Sequence, residues 1–128
     1  MKKDFRTELG KVRGLGSAHA GTEHFWLERL TGFINLPLLI FFIVLILSLV
    51  GKDYSIVRAR LAHPVVAIVL GLMTFSVLYH MKLVMQVVIE DYIRHESVRI
   101  LFLVLNVLFC FVLGGVIIFS LLKIALGV

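Results

Sequence analysis

Residues 61–92 read LAHPVVAIVLGLMTFSVLYHMKLVMQVVIEDY. From Leu61 to Ile89 the run is almost wholly apolar, and it closes on Glu90-Asp91-Tyr92 with no loop in between. A helix over about Ala62–Ile89, with Pro64 near its first position where a missing N–H costs little, is about 42 Å long. That exceeds the roughly 30 Å hydrocarbon core of a bilayer, so the helix is expected to tilt or protrude. His80 lies inside this run. Polar groups in hydrocarbon are costly, so an ionisable, metal-competent side chain at that depth needs a partner or a task.

Two more apolar blocks flank this one. The first spans about Gly32–Val50, with Asn35 and Pro37 in its opening turns, where proline is tolerated. The third spans about Ile100–Ala125, and Gly114-Gly115 in its middle permit close helix contact. The chain has 128 residues, of which 60% are hydrophobic and only 16% charged, and its mean hydropathy is +1.04. These values predict an all-α integral membrane protein with three transmembrane helices in one anchor domain, residues 31–128. Residues 1–30 are read as a basic arm. Gly10, Gly14, Gly16 and Gly21 lower its helix propensity, and His24-Phe25-Trp26-Leu27 form a short amphipathic stretch suited to the headgroup level.

The net charge of +5 does not signal nucleic acid. The cations sit at segment ends, as membrane flanks do, and there is no aromatic-interleaved basic patch on a soluble fold. Three spans put the termini on opposite sides. Lys2, Lys3, Arg6, Lys11, Arg13, Arg29, Arg94 and Arg99 outnumber Lys52, Arg58, Arg60 and Lys123, which predicts a cytoplasmic N-terminus and a cytoplasmic 90–99 loop. No cleavable signal is expected, because the first apolar block begins only near Thr31 and is too long for a signal core. The single cysteine, Cys110, precludes a disulfide within the chain and reads as a small apolar helix residue. Glycine-rich phosphate loops, zinc spacings and nucleophile triads are missing from the sequence.

On a helix, His80 shares a face with Met73, Ser76, Val77, Val84 and Val87, and Asp91 falls about 20° off that face. An apolar groove with one imidazole suits either a hydrogen bond to a neighbouring helix or one axial position of a haem. In the second case another chain must supply the opposite ligand. Lys82 lies on roughly the opposite face, in line with Gln86 and Glu90. It must snorkel, pair or face another subunit. Tyr92 and Asp91 stand where the helix leaves the membrane. They suit an ordinary interfacial pair, or a phenol donating to a quinone carbonyl beside a carboxylate that passes protons to water. Arg29 is a positive flank or a fork for carboxylates. His63 and His95 read as solvated or structural.

Two stretches together resemble a known family. Gly14-Leu15-Gly16-Ser17-Ala18, Gly21-Thr22-Glu23-His24-Phe25-Trp26 and Glu28-Arg29-Leu30-Thr31 look like the amino-terminal part of the succinate dehydrogenase hydrophobic membrane anchor subunit, in its alphaproteobacterial or mitochondrial-like form. Tyr79-His80 through Gln86-Val87 to Asp91-Tyr92 is the more specific match. The resemblance runs from Gly14 over most of the chain. It implies a non-catalytic anchor of complex II (succinate:quinone oxidoreductase) in a bacterial inner membrane, or a mitochondrial one in a eukaryote. Its implied partners are a second anchor (the cytochrome b subunit), an iron–sulfur subunit and a flavoprotein. It further implies His80 as axial ligand to the iron of a shared haem b, Arg29 near the haem propionates, Tyr92 as the ubiquinone contact and Asp91 on its proton path.

Val84 departs from the pattern. Relatives often carry glycine four residues after the histidine, where a flat macrocycle approaches the backbone, and valine adds bulk there. Glu28 and Gly32 stand where glutamine and alanine are frequent. Two other functions are compatible with the residues. One is the anchor of a quinol:fumarate reductase. The other is a small transport protein with His80, Lys82 and Asp91 as a proton relay, although such proteins usually show internal symmetry or a helix broken at mid-depth.

Overall fold

The computed structural model describes Leu9 and residues 18–128, with side chains from Thr22 onward. Among the described residues from Ala18 onward, four helices follow in order: α1, Ala18–Leu49; α2, Tyr54–Ala62; α3, Pro64–Tyr92; and α4, Glu96–Ala125. Three of them, over Thr22–Leu49, Pro64–Tyr92 and Glu96–Ala125, are long and apolar enough to cross a membrane. With no water to satisfy backbone groups in hydrocarbon, a helix closes all its hydrogen bonds internally. The described residues hold no strand, so the expected all-α, three-span class is the observed one.

The element boundaries differ from the sequence reading in instructive ways. Helix α1 starts at Ala18 and runs unbroken into the first span, whereas residues up to 30 read as an arm. The glycine that α1 absorbs, Gly21, costs only about 1 kcal/mol of propensity against alanine, and the apolar run beyond it repays that. The rest of the expected arm, before Ala18, lies outside the described residues apart from Leu9. Because α1 starts early, Pro37 falls about five turns inside it rather than in its opening turns. Its missing N–H leaves the Phe33 carbonyl without its usual donor, yet the helix is continuous to Leu49.

Gly51 ends α1 with φ +75°, the left-handed conformation that favours glycine at a helix terminus. The short helix α2 occupies what read as a loop. His63 then separates α2 from α3, its Nδ1 accepting from the Val65 backbone N–H at 3.3 Å, with Pro64 at the first turn as expected. Only Ile93, Arg94 and His95 lie between α3 and α4, fewer than the ten residues that read as a loop.

Helix α3 is central. It packs against α1 on one side and α4 on the other, and α2 touches both α3 and α4. The buried apolar residues are few: Leu45, Leu70, Leu83, Ile89 and Cys110. Large apolar side chains such as Phe33, Phe75, Phe111 and Phe119 point outward. In a bilayer that is the expected arrangement, because lipid tails are as apolar as leucine and burial against protein gains little. Small residues therefore set where helices meet. A Cβ on Gly114 would lie 3.0 Å from Leu78 Cδ1, while one on Gly115 meets nothing within 4 Å. Of the glycine pair, only Gly114 is at the α3–α4 contact.

Candidate functional site

Polar side chains tie α1 to α3 at two levels. Thr31 on α1 and His80 on α3 meet at 2.9 Å between Oγ1 and Nδ1. One turn away, Ser76 Oγ donates to Asn35 Oδ1 at 2.6 Å. Four residues separate the two groups on each helix, and the helices run antiparallel, so the pairs form successive rungs. Each rung converts a costly lipid-depth polar group into a satisfied one. Thr31 is the one buried polar residue among those described.

The proton positions on the upper rung follow from the inventory of donors. Thr31 Oγ1 also lies 2.7 Å from the Leu27 carbonyl oxygen and 3.0 Å from that of Glu28. Carbonyls only accept, so the single hydroxyl proton belongs to those contacts. The Thr31 oxygen is then left as an acceptor for His80 Nδ1–H. In the neutral ring this leaves Nε2 as the unprotonated nitrogen. Nε2 has no hydrogen-bond partner among the described residues, and it is not among their buried unpartnered atoms. The hydrogen bond to a neighbouring helix and the availability of a ligating nitrogen, alternatives in the sequence, thus use different atoms of one ring.

The other expected site residues are not gathered around His80. Tyr92 is the last residue of α3, 81% exposed, and lies about 18 Å along the helix from His80. Asp91 beside it is also exposed. Arg29 lies about 200° round α1 from Thr31 and does not share its face. Its guanidinium stacks 4.5 Å from the Phe25 ring centroid, which leaves the edge N–H donors free. Lys82 also stands apart from the site. Its ammonium is 5.9 Å from the Tyr79 ring centroid, and it lines an apolar groove of about 720 Å³ between α3 and α4 with Phe75, Cys110, Phe111 and Gly114. Below it on the same stripe, Gln86 Nε2 donates to Glu90 Oε1 at 3.0 Å.

Thr31, Asn35 and His24 escaped the sequence reading as members of the site. His24 is two turns before Thr31 on the same face of α1. Its Nδ1 is 4.0 Å from Glu28 Oε2, and its Nε2 is buried without a hydrogen-bond partner. The legible signal was the matching four-residue spacing of Thr31 with Asn35 and of Ser76 with His80 in apolar runs of opposite direction. The described residues contain no cluster of three or more His, Cys, Asp or Glu able to hold a metal ion. A lone imidazole with one nitrogen held and the other bare fits half of a two-ligand iron site, not a complete one.

A three-span helical membrane protein with a mid-helix histidine braced by a neighbouring helix is the class these features define. The chain belongs to the succinate dehydrogenase/fumarate reductase transmembrane subunit family, whose model matches residues 3–121. It is 36% identical to the succinate dehydrogenase hydrophobic membrane anchor subunit of Rickettsia bellii, over 77% of this chain and 79% of the relative. It is 34% identical to that of Rickettsia conorii, over 88% and 90%, and 33% identical to that of Rickettsia felis, over 88% and 89%. No solved structure matches it significantly.

Proposed function

We propose that this chain is a membrane anchor of a succinate:ubiquinone oxidoreductase in a bacterial cytoplasmic membrane, with its N-terminus cytoplasmic. It would work with a second anchor, an iron–sulfur subunit and a flavoprotein. The observation that carries this beyond family membership is the bare Nε2 of His80, presented at lipid depth by a ring whose Nδ1 is held. His80 would hold the iron of a haem b through that nitrogen, with a further ligand supplied by the second anchor. When bound, such a group would supply one-electron redox chemistry.

Reduction of one ubiquinone to ubiquinol takes up two electrons and two protons. Tyr92 donates a hydrogen bond from its phenol to a quinone carbonyl, and Asp91 relays protons from water to the same place. Their exposure at the end of α3 supports this role, since a bound headgroup from the membrane and a proton from the aqueous side both reach that point. Arg29 serves carboxylates approaching from outside the α1–α3 pair, propionates included, with the guanidinium edge that stacking on Phe25 leaves free.

Purification through a tag on this chain, from the membranes in which it is made, is expected to bring flavin, iron–sulfur and b-type haem signals together with succinate:quinone reductase activity. His80→Ala is expected to abolish or alter the b-type absorption bands. Co-purification without a flavoprotein, or an unchanged spectrum in His80→Ala, overturns the assembly and the ligand assignment respectively.

A further inference from the structure

We propose that Thr31 is a positioning residue for His80: it fixes the imidazole with Nδ1 protonated and Nε2 bare, and so tunes the iron that His80 would bind. This inference rests on His80 being the ligand. Three observations carry it. First, the 2.9 Å contact joins Thr31 Oγ1 to Nδ1, while Nε2 has no hydrogen-bond partner among the described residues. Second, Thr31 Oγ1 stands 2.7 and 3.0 Å from two backbone carbonyls. Were its proton turned toward His80, both of those oxygen–oxygen contacts would lack a proton between them. The hydroxyl is therefore committed as a donor to α1 and as an acceptor to α3. Third, the next residue of α1 has no side chain where the ring edge comes closest: a Cβ added to Gly32 would lie 3.5 Å from His80 Cε1, so the imidazole sits close against the α1 backbone here. Helix α1 thus holds the imidazole through Nδ1 and leaves Nε2 free of protein hydrogen bonds among the described residues.

The bond has an electronic consequence as well as a geometric one. A ring N–H that donates to an oxygen makes the other nitrogen a more basic ligand. Here the accepting oxygen is itself a donor to carbonyls, and such a chain of hydrogen bonds polarises its members in the same sense. A more basic ligand favours the ferric form, so Thr31 holds the midpoint potential down.

The test uses the whole complex purified from membranes, with the midpoint potential and optical or electron-spin-resonance signature of its b-type haem as readouts. Thr31→Val keeps the shape of the side chain and removes the hydroxyl. It is expected to raise the potential and shift the axial-ligand signature, whereas Thr31→Ser, which restores the hydroxyl, returns both toward the wild type. Thr31→Ala gives the same readout should valine disturb assembly. Mere loosening of packing lowers haem content or broadens the signal without a uniform upward shift. Wild-type potentials in both hydroxyl-free variants overturn the proposal, and so does loss of assembly in both with Thr31→Ser intact, which assigns Thr31 to helix packing alone. His80→Ala separates the two readings: if it leaves the haem untouched, the ligand assignment fails; if it removes the haem and Thr31→Val is silent, only the positioning role fails.

Discussion

At the scale of single residues, most polar side chains that α1 and α3 place at lipid depth are spoken for, and the exceptions are informative. Ser76 and Asn35 satisfy each other at 2.6 Å, and Thr31 satisfies one nitrogen of His80. Interhelical hydrogen bonds in membranes are worth about 0.6 kcal/mol on average and about 1.7 at most. Ser76→Ala is therefore expected to lower the stability of the assembled protein in detergent by that order, measured as a reduced midpoint in thermal or denaturant unfolding, with the b-type spectrum kept. Tyr92 is a different case. It is 81% exposed, and no hydrogen bond holds its phenol among the described residues. Tyr92→Phe is therefore expected to leave stability unchanged. If the phenol donates to a quinone carbonyl, the same variant loses one positioned donor. Quinone reduction then falls by roughly ten- to a hundredfold, the range for one hydrogen bond of about 1.4–2.7 kcal/mol, while succinate oxidation with a soluble acceptor persists. Equal loss of both activities assigns Tyr92 to assembly instead.

At the scale of helices, the sequence was most legible where a single physical constraint dominates. The three spans follow from hydrocarbon, which admits little but apolar helix, and Pro64 at the start of α3 follows from its missing N–H. What could not be read depends on partners far away in the sequence. The early start of α1 at Ala18 was masked by Gly21 and by charges that read as a flank. Helix α2 has no apolar stripe long enough to register as an element, and its contacts with α3 and α4 are invisible in one dimension. His80 was legible as an anomaly, yet its partner was not, because Thr31 looks like any span-opening threonine until α1 and α3 are in register. The glycine pair shows the same limit. Two adjacent glycines read alike, but only Gly114 has a neighbour, Leu78 Cδ1, 3.0 Å from where its Cβ would stand. Leu78 ends in a flexible tip, so Gly114→Ala is expected to be tolerated with a small shift of that tip. Gly114→Val adds branching the tip cannot clear, and is expected to cost about 1–3 kcal/mol by overpacking. Gly115→Val, facing the open groove, should cost less. Unfolding midpoints of the three variants check the order, and equal effects at positions 114 and 115 contradict it.

At the scale of the whole molecule, the outward-facing phenylalanines do not by themselves argue for partners, because lipid can cover them. The argument comes from polar groups that lipid cannot satisfy. His80 Nε2 and the Lys82 ammonium, the latter 5.9 Å from the Tyr79 ring centroid and in no ion pair among the described residues, lie on roughly opposite faces of α3. The groups that need company are thus on both flanks of the central helix, as expected for a chain enclosed by others. The proposed function depends on which side of the membrane receives Tyr92: were it the quinone contact, electrons from succinate would have to arrive at that same side. The excess of Lys and Arg before and early in α1 and around the α3–α4 junction predicts that the Tyr92 end is cytoplasmic. Asp53→Cys, at the α1–α2 junction, and His95→Cys, between α3 and α4, mark the two ends of the bundle. In a Cys110→Ala background, a membrane-impermeant maleimide added to intact cells is expected to label Asp53→Cys and to spare His95→Cys. Opening the cells should then expose His95→Cys. The reverse pattern places Tyr92 on the outer face, and a cytoplasmic dehydrogenase could not then deliver electrons to a quinone held there.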